Sequence, residues 1–442
     1  MKKLLVLLVA FVAVVTFGGT AVIPVNLSKV TDVEVPVVMK MADVLDLVGI
    51  DFDANWDSLR IADERGNEVA YQYVDVDLNN RLSSGDLLVF LAPSSVKITV
   101  SEDFDVVAPE YPPVLSVDET DNGWLIISDL FTIEVNRYGL LKVTEYAGVK
   151  GTIVDEIGIV RVAGWVGSTY YIDGGLGRHE EKTSFGFRIK EVEVLDPGPV
   201  AVTVVSRLVS DMFLGLEVEV LSTVFKTGDM VIETNFKFNS YADMMKLHPM
   251  ITRPLTDVAD DAVHMLPVFR RLVWADQLNI TPLEYWLERN AIMNVDRKPY
   301  IVFPAVDPMR PFWWGATYIF ASQENWRSNY SPSLGIGIAE IMPEKPVVYV
   351  DYDKWASGNM WIYESREFRD GVFRWIPGEF ELFEATKGNV TTVMEEWPNR
   401  YAAGDSLSFV KYYRLFECQS IEEAIRMLEL RTLEIQSISI EE

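Results

Sequence analysis

Residues 200–238 read VAVTVVSRLVSDMFLGLEVEVLSTVFKTGDMVIETNFKF. Three runs rich in β-branched and apolar residues, Val200–Val209, Leu216–Phe225 and Met230–Phe238, follow one another at hairpin spacing. Many positions alternate apolar and polar, as a sheet with one buried face requires. The pattern extends upstream through 124–127, 131–136, 140–146, 157–165 and 184–194. It resumes downstream at 300–303, 314–320, 335–341, 346–352, 358–364 and 406–416. Such a series predicts a large antiparallel sandwich.

The segment 240–300 breaks the series. Thr281-Pro282-Leu283-Glu284 has the form of a capping box with proline at the first helical position, predicting a helix to about Met293. Ser420 is placed to cap a last amphipathic helix, with Ile421, Ala424, Ile425 and Leu428 on one face. Residues 22–110 form a separate small β-rich domain. It has strands at 33–38, 58–62, 69–74 and 87–91, a short helix over Met41–Val48 and a hairpin turn at Arg65-Gly66-Asn67. Pro109, Pro112 and Pro113 mark the boundary, and the second domain runs from 114 to 442.

Residues 1–21 have the parts of an export signal: Lys2 and Lys3, an apolar run from Leu4 to Phe17, and small residues at Gly19-Thr20-Ala21. The expected location is secreted, periplasmic or cell-envelope, with a mature start near Val22 and no membrane span after cleavage. An uncleaved anchor is the alternative. Without Lys2 and Lys3 the chain keeps 37 basic against 66 acidic residues, a net charge of −29. That balance argues against nucleic acid and anionic membranes, both of which need a basic footprint. It also disfavours long-range attraction of polyanionic glycans, although a local basic pocket can still bind them. Cys418 is the only cysteine, so no intrachain disulfide forms; a buried, inert thiol is the expectation.

Nine of the twelve tryptophans follow residue 270. Large flat side chains in an exported β-protein suggest stacking on sugar rings; core filling is the competing reading. Trp313, Trp326 and Trp355 are candidate platforms, with Trp375 beside them. Trp313 and Trp314 are adjacent, so on a strand they face opposite sides.

A resemblance points the same way. Residues 130–140 (LFTIEVNRYGL), 196–202 (DPGPVAV), 231–238 (VIETNFKF) and 404–409 (GDSLSF) resemble the galactose-mutarotase-like β-supersandwich. That architecture also forms the β-domains of many polysaccharide lyases and several glycosidases. The resemblance covers roughly 115–418. It implies a mainly β fold, an antiparallel β-supersandwich preceded by a small β-sandwich-like domain with few short helices. It also implies a carbohydrate partner, in a secreted protein that acts on or binds a glycan, in lyase-like fashion or as a non-catalytic or structural envelope component. The α/α toroid of many lyases is absent, as is the mutarotase signature of histidine followed closely by aromatics.

The break at 243–289 is the candidate cleft, holding His248, Lys246, Arg253, His264, Arg270, Arg271, Trp274, Tyr285 and Arg289. A lyase needs a base to remove the proton beside a uronate carboxyl group and cations to stabilise the resulting dianion. His264 or Tyr285 is the candidate base and Arg270 or Arg271 the neutralising group. His248, Arg253 and Trp274 are candidate substrate contacts. A sugar-ring isomerase would instead pair an acid with a base, for example His264 with Glu340. Loop histidines that only form surface hydrogen bonds are the competing reading.

Residues 75–86, DVDLNNRLSSGD, read as a twelve-position calcium loop. Asp75, Asp77, Asn79, Ser83 and Asp86 fall at positions 1, 3, 5, 9 and 12. Asn80 stands where glycine is usual, and asparagine tolerates the left-handed conformation. A solvated acidic turn is the alternative. The glycine-rich stretch Asp173–His179 reads as a long hairpin.

Overall fold

The computed structural model describes residues 19–49, 52–103, 105–166, 169–173, 187–195, 197–211, 213–252, 258–259, 261–267, 292–304, 317–322, 325–343, 359–369, 372–383 and 399–440. It is mainly β, with 55% strand and 9% helix. The chain divides into two compact units, Met1–Pro112 with Ser437–Glu442, and Pro113–Gln436.

The first unit holds a four-stranded sheet in the order Ser439–Ile440, Thr20–Asn26, Val96–Ser101, Asn55–Asp63, and a three-stranded sheet of Val35–Lys40, Leu87–Ala92 and Tyr71–Val74. Thr20 and Ala21, which a cleavage before Val22 would remove, pair with Ser101 and Val100, and Ala21 is buried. The helix forms at Met41–Val48 as its spacing predicts. Met41, Val44 and Val48 are buried, and Gly49, at φ 94°, closes it through an N–H donated to the Leu45 carbonyl. The Arg65–Asn67 turn is also observed, with Gly66 at φ 81°.

Among the described residues the second unit contains sheets of ten, seven and five strands, paired antiparallel. The ten-stranded sheet runs in the order Phe187–Val194, Ala201–Ser210, Leu216–Phe225, Asp229–Phe238, Ser406–Glu417, Ile336–Ile341, Trp326–Ser331, Val263–Pro267, Lys298–Pro304, Ile292–Val295. Residues 200–238 therefore make three consecutive strands near one end. The five-stranded sheet spans Ser116–Ile157. Its Ile126, Ile133, Val135 and Val143 join Val204, Val220, Ile232, Ile338 and Tyr413 of the large sheet in one core. Burial of that shared apolar layer at about 25 cal/mol per Å² is the main force holding the layers.

The other face of the large sheet carries the helix Ile421–Gln436, opened by the Ser420 hydroxyl accepting from the Glu423 N–H at 3.2 Å. Trp326 donates its indole N–H to Glu429 of this helix at 2.9 Å. Arg431 of the helix and Arg414 of the sheet both donate to Asp229 Oδ2, at 2.9 and 2.7 Å. Their charges, set against its burial, hold the Asp229 carboxyl below the usual range.

Residues 240–300 contain strands where the sequence pattern breaks: Ala242–Thr252 in the seven-stranded sheet and Val263–Pro267 in the large one. Most of the helix expected from Thr281 lies outside the described residues, and its expected last residues, Ile292 and Met293, are strand. The strand expected at 346–352 also lies outside them. No described helix is long and apolar enough to cross a membrane.

Candidate functional site

The core-facing side of the large sheet carries a row of ionisable and polar side chains. His264 pairs in register with Asn329 on the neighbouring strand. Arg327, two residues from Asn329 and so on the same face, pairs with Glu340 on the next strand. Glu340 pairs with Tyr413, and Lys411 stands two residues from Tyr413 on that strand. His264, Arg327, Asn329, Glu340 and Lys411 are all buried. Four adjacent strands thus line up five polar groups, four of them ionisable, on a face that also carries the buried hydroxyl residues Ser206, Ser222, Thr234 and Ser331 among its apolar ones.

The contacts are specific. Arg327 donates from Nη2 to Glu340 Oε2 at 2.9 Å and from Nε to the same oxygen at 3.3 Å. Lys411 Nζ pairs with the other oxygen, Glu340 Oε1. One carboxylate therefore serves two cations. Burial, then the Arg327 charge, push the His264 imidazole down to about 3 against an opposing hydrogen bond with Asn329, so it is neutral at pH 7. Burial pushes the Arg327 guanidinium down to about 9, still charged at pH 7. Burial and the Arg327 charge likewise lower Lys411. An imidazole, a carboxylate and basic groups are the residue types that proton transfer and charge stabilisation use; here all five side chains are buried.

Among the sequence candidates, the structure puts His264 and Glu340 on this wall. They are two strands and two residue positions apart, about 12 Å by strand and residue spacing, with Arg327 and Asn329 on the strand between them. His248 lies on the Ala242–Thr252 strand of the seven-stranded sheet, registered to Arg161. Arg253, Arg270, Trp274, Tyr285, Trp313 and Trp355 lie outside the described residues. Trp326 is corrected. It is fully buried, on the helix-bearing face, stacked on Tyr300 at 6.1 Å between centroids. Its ring offers no surface to a sugar. Arg327, Asn329 and Lys411 were not singled out by sequence. For Lys411 the signal was a lysine inside the predicted strand 406–416; Arg327 and Asn329 lie on Trp326–Ser331, which no periodicity marks.

Residues 75–86 form the connection between Tyr71–Val74 and Leu87–Ala92, with Leu78 and Asn80 both at φ 57°. Ligand oxygens of Asp75, Asp77 and Asp86 lie within 4.8 Å of one another, as oxygens sharing one hard cation must. Each of the six carboxylate oxygens also accepts a donor of the loop itself. Asp75 takes the N–H groups of Asn79 and Asn80, and Asp77 takes the Asn79 N–H and the Ser83 hydroxyl. Asp86 takes the N–H groups of Val76 and Ser83. The Asn79 side chain accepts from the Arg81 N–H at 2.7 Å. The geometry is therefore satisfied by an acidic turn closed on itself as well as by a calcium site.

No protein-family model matches the sequence. No curated protein matches it either. Solved structures similar to it include an α-mannosidase from Enterococcus faecalis, at 10% identity and TM-score 0.47, over 95% of this chain and 46% of that one. A galactose mutarotase-like protein from Lactobacillus casei is similar at 12% identity and TM-score 0.35, over 68% of this chain and 100% of that one. An α-galactosidase from Geobacillus stearothermophilus is similar at 9% and 0.33, over 69% and 41%. The chain spans about half the length of the mannosidase. At these values no residue correspondence is carried across.

Cys418 is buried, and burial pushes its thiol up to about 12. A buried thiol held protonated is a poor nucleophile.

Proposed function

We propose that this is an exported carbohydrate-active protein whose site is the charged wall of the ten-stranded sheet. The observation that carries the proposal is the alignment of His264, Asn329, Arg327, Glu340 and Lys411 on the core-facing side of four adjacent strands. Burying charges costs several kcal/mol each in a real protein, and an apolar row would close the core more cheaply.

Two basic side chains against one carboxylate suit an acidic sugar, and a lyase-like elimination would use His264, Arg327 and Lys411, with Glu340 orienting the last two. The C–H bond beside the uronate carboxyl group breaks, and neutral His264 takes the proton. The electron pair forms a C=C bond, and the glycosidic oxygen on the next carbon leaves with the proton returned by His264. Arg327 and Lys411 stabilise the intermediate dianion. Tyr285 remains the alternative base, and Arg270 or Arg271 the expected neutralising group.

The test is incubation with uronate polysaccharides and measurement of near-ultraviolet absorbance from unsaturated products. Wild-type protein should generate it and His264→Gln should not; silence across the panel defeats the lyase reading. The complete burial of the five side chains favours a second reading, a non-catalytic glycan-binding or envelope protein in which they hold the sheet together. That reading predicts retarded migration in glycan-containing gels, or co-sedimentation with the cell surface, without product. Export is tested by sequencing the N-terminus of the mature chain. A start at or before Thr20 keeps the first strand whole.

A further inference from the structure

The first strand of the small unit overlaps the end of the expected export signal, and its ladder restricts where that signal can be cut. Thr20–Asn26 pairs antiparallel with Val96–Ser101. The Glu102 N–H donates to the Gly19 carbonyl at 2.9 Å, so the ladder runs on to Gly19. Hydrogen-bonded and non-hydrogen-bonded pairs alternate along an antiparallel ladder. Gly19 and Glu102 are a bonded pair, so Ala21 and Val100 are the next one and exchange two backbone bonds. Pro24 then falls in a non-bonded pair with Lys97, where its missing N–H faces away from the partner strand. Ala21 is also 1% exposed.

A signal peptidase needs small residues at the last and third-last positions before the cut. Near the end of the apolar run three bonds meet that need. They follow Gly18, with Thr16 third-last, Thr20, with Gly18 third-last, and Ala21, with Gly19 third-last. A cut after Gly19 would put Phe17 third-last. Cuts after Thr20 or Ala21 remove the Gly19 carbonyl that Glu102 uses. The cut after Ala21 also removes the buried methyl and both bonds to Val100. Only the cut after Gly18 leaves every paired residue on the mature chain.

We infer that the processing site is the Gly18–Gly19 bond and that Glu102 receives the new amino terminus. The inference rests on the export reading above and uses no residue of the charged wall. The peptidase adds water across the bond; Gly18 leaves as a carboxylate and Gly19 gains an α-ammonium. The Glu102 carboxylate stands beside the Gly19 α-carbon, with Oε2 2.7 Å from where a Cβ would lie. An ammonium on that carbon therefore meets an anion already in place. The same contact, together with φ 71°, accounts for glycine here. Any side chain would strain the backbone and displace the carboxylate.

The experiment expresses the full-length chain in a secreting host and reads the intact mass and N-terminal sequence of the released protein. The expected first residue is Gly19. Release of a folded chain with any other first residue overturns the inference and leaves export standing. A chain kept in the cytoplasm with Met1 defeats the export reading and the inference with it. Two further measurements test the physical argument on mature chains made without the signal. A chain beginning at Val22 should melt several degrees below one beginning at Gly19, because it lacks the Ala21–Val100 bonds. Equal melting would show that the ladder does not choose the bond. In the Gly19 chain, Glu102→Gln should lower the pKa of the α-amine, followed by NMR titration, since a neighbouring carboxylate favours the charged form. An unchanged value would remove Glu102 from the site.

Discussion

Arg327 and Glu340 face each other across adjacent strands, joined at 2.9 Å, with neither side chain exposed to solvent. Lys411 meets the second oxygen of the same carboxylate. Removing that carboxylate leaves two cations buried against each other. Glu340→Ala should therefore lower unfolding free energy by about 3–5 kcal/mol, the usual cost of orphaning a buried partner. Denaturant melts of the variant and of Arg327→Met/Glu340→Leu/Lys411→Met measure it. The triple replacement should recover most of the loss, since it removes the charges together. A single variant as stable as wild type would mean that solvent reaches the row.

His264 gives stability a pH dependence whose sign is fixed by its depressed pKa. The unfolded chain protonates this imidazole below its ordinary value of about 6.5. The folded chain resists until about 3. The contribution is thus complete above about 6.5 and is lost as pH falls through the interval below it, by about 1.4 kcal/mol per pH unit. His264→Gln lacks this proton. Between pH 6.5 and 5 it should lose about 2 kcal/mol less than wild type in urea melts. Parallel losses in the two proteins would show that the imidazole titrates normally in the folded state.

The reach of the sequence can be judged on particular strands. Phe131–Asn136 and Leu216–Phe225 are observed with the bounds their alternation predicts, because one periodic face meets the shared core. Met41–Val48 was legible for the same reason at helical spacing. Trp326–Ser331, WRSNYS, was not. Both its faces are covered, and all six residues are buried. Arg327 and Asn329 on the core side therefore removed the apolar alternation that marks a strand. Val263–Pro267 hides His264 in the same way. His264 and Glu340, paired in the sequence reading, lie on one face of the large sheet. Nothing local, however, reveals that Arg327 and Asn329 stand between two residues 76 positions apart in the chain.

Trp326 separates packing from recognition. Its ring is enclosed between the sheet and the Ile421–Gln436 helix, with Glu429 taking its N–H. Trp326→Ala should cost about 3–5 kcal/mol, as for other large buried aromatics. Retardation by glycans, measured well below the melting temperature, should match wild type. A variant that keeps its stability but loses glycan binding would return this ring to the ligand surface.

Asp86 is the buried member of the 75–86 loop and accepts the N–H groups of Val76 and Ser83. Alanine there strands two backbone donors, one of them on a buried residue, at a cost of about 2 kcal/mol or more. Asp77 is exposed, and Asp77→Ala should stay within about 0.5 kcal/mol of wild type. If hydrogen bonds alone hold the loop, thermal melts should rank the two variants identically with and without a chelator. A rise in melting temperature with calcium, abolished by both Asp75→Asn and Asp77→Asn, would instead give the carboxylates to the ion. The backbone donors would then be the framework that orients them.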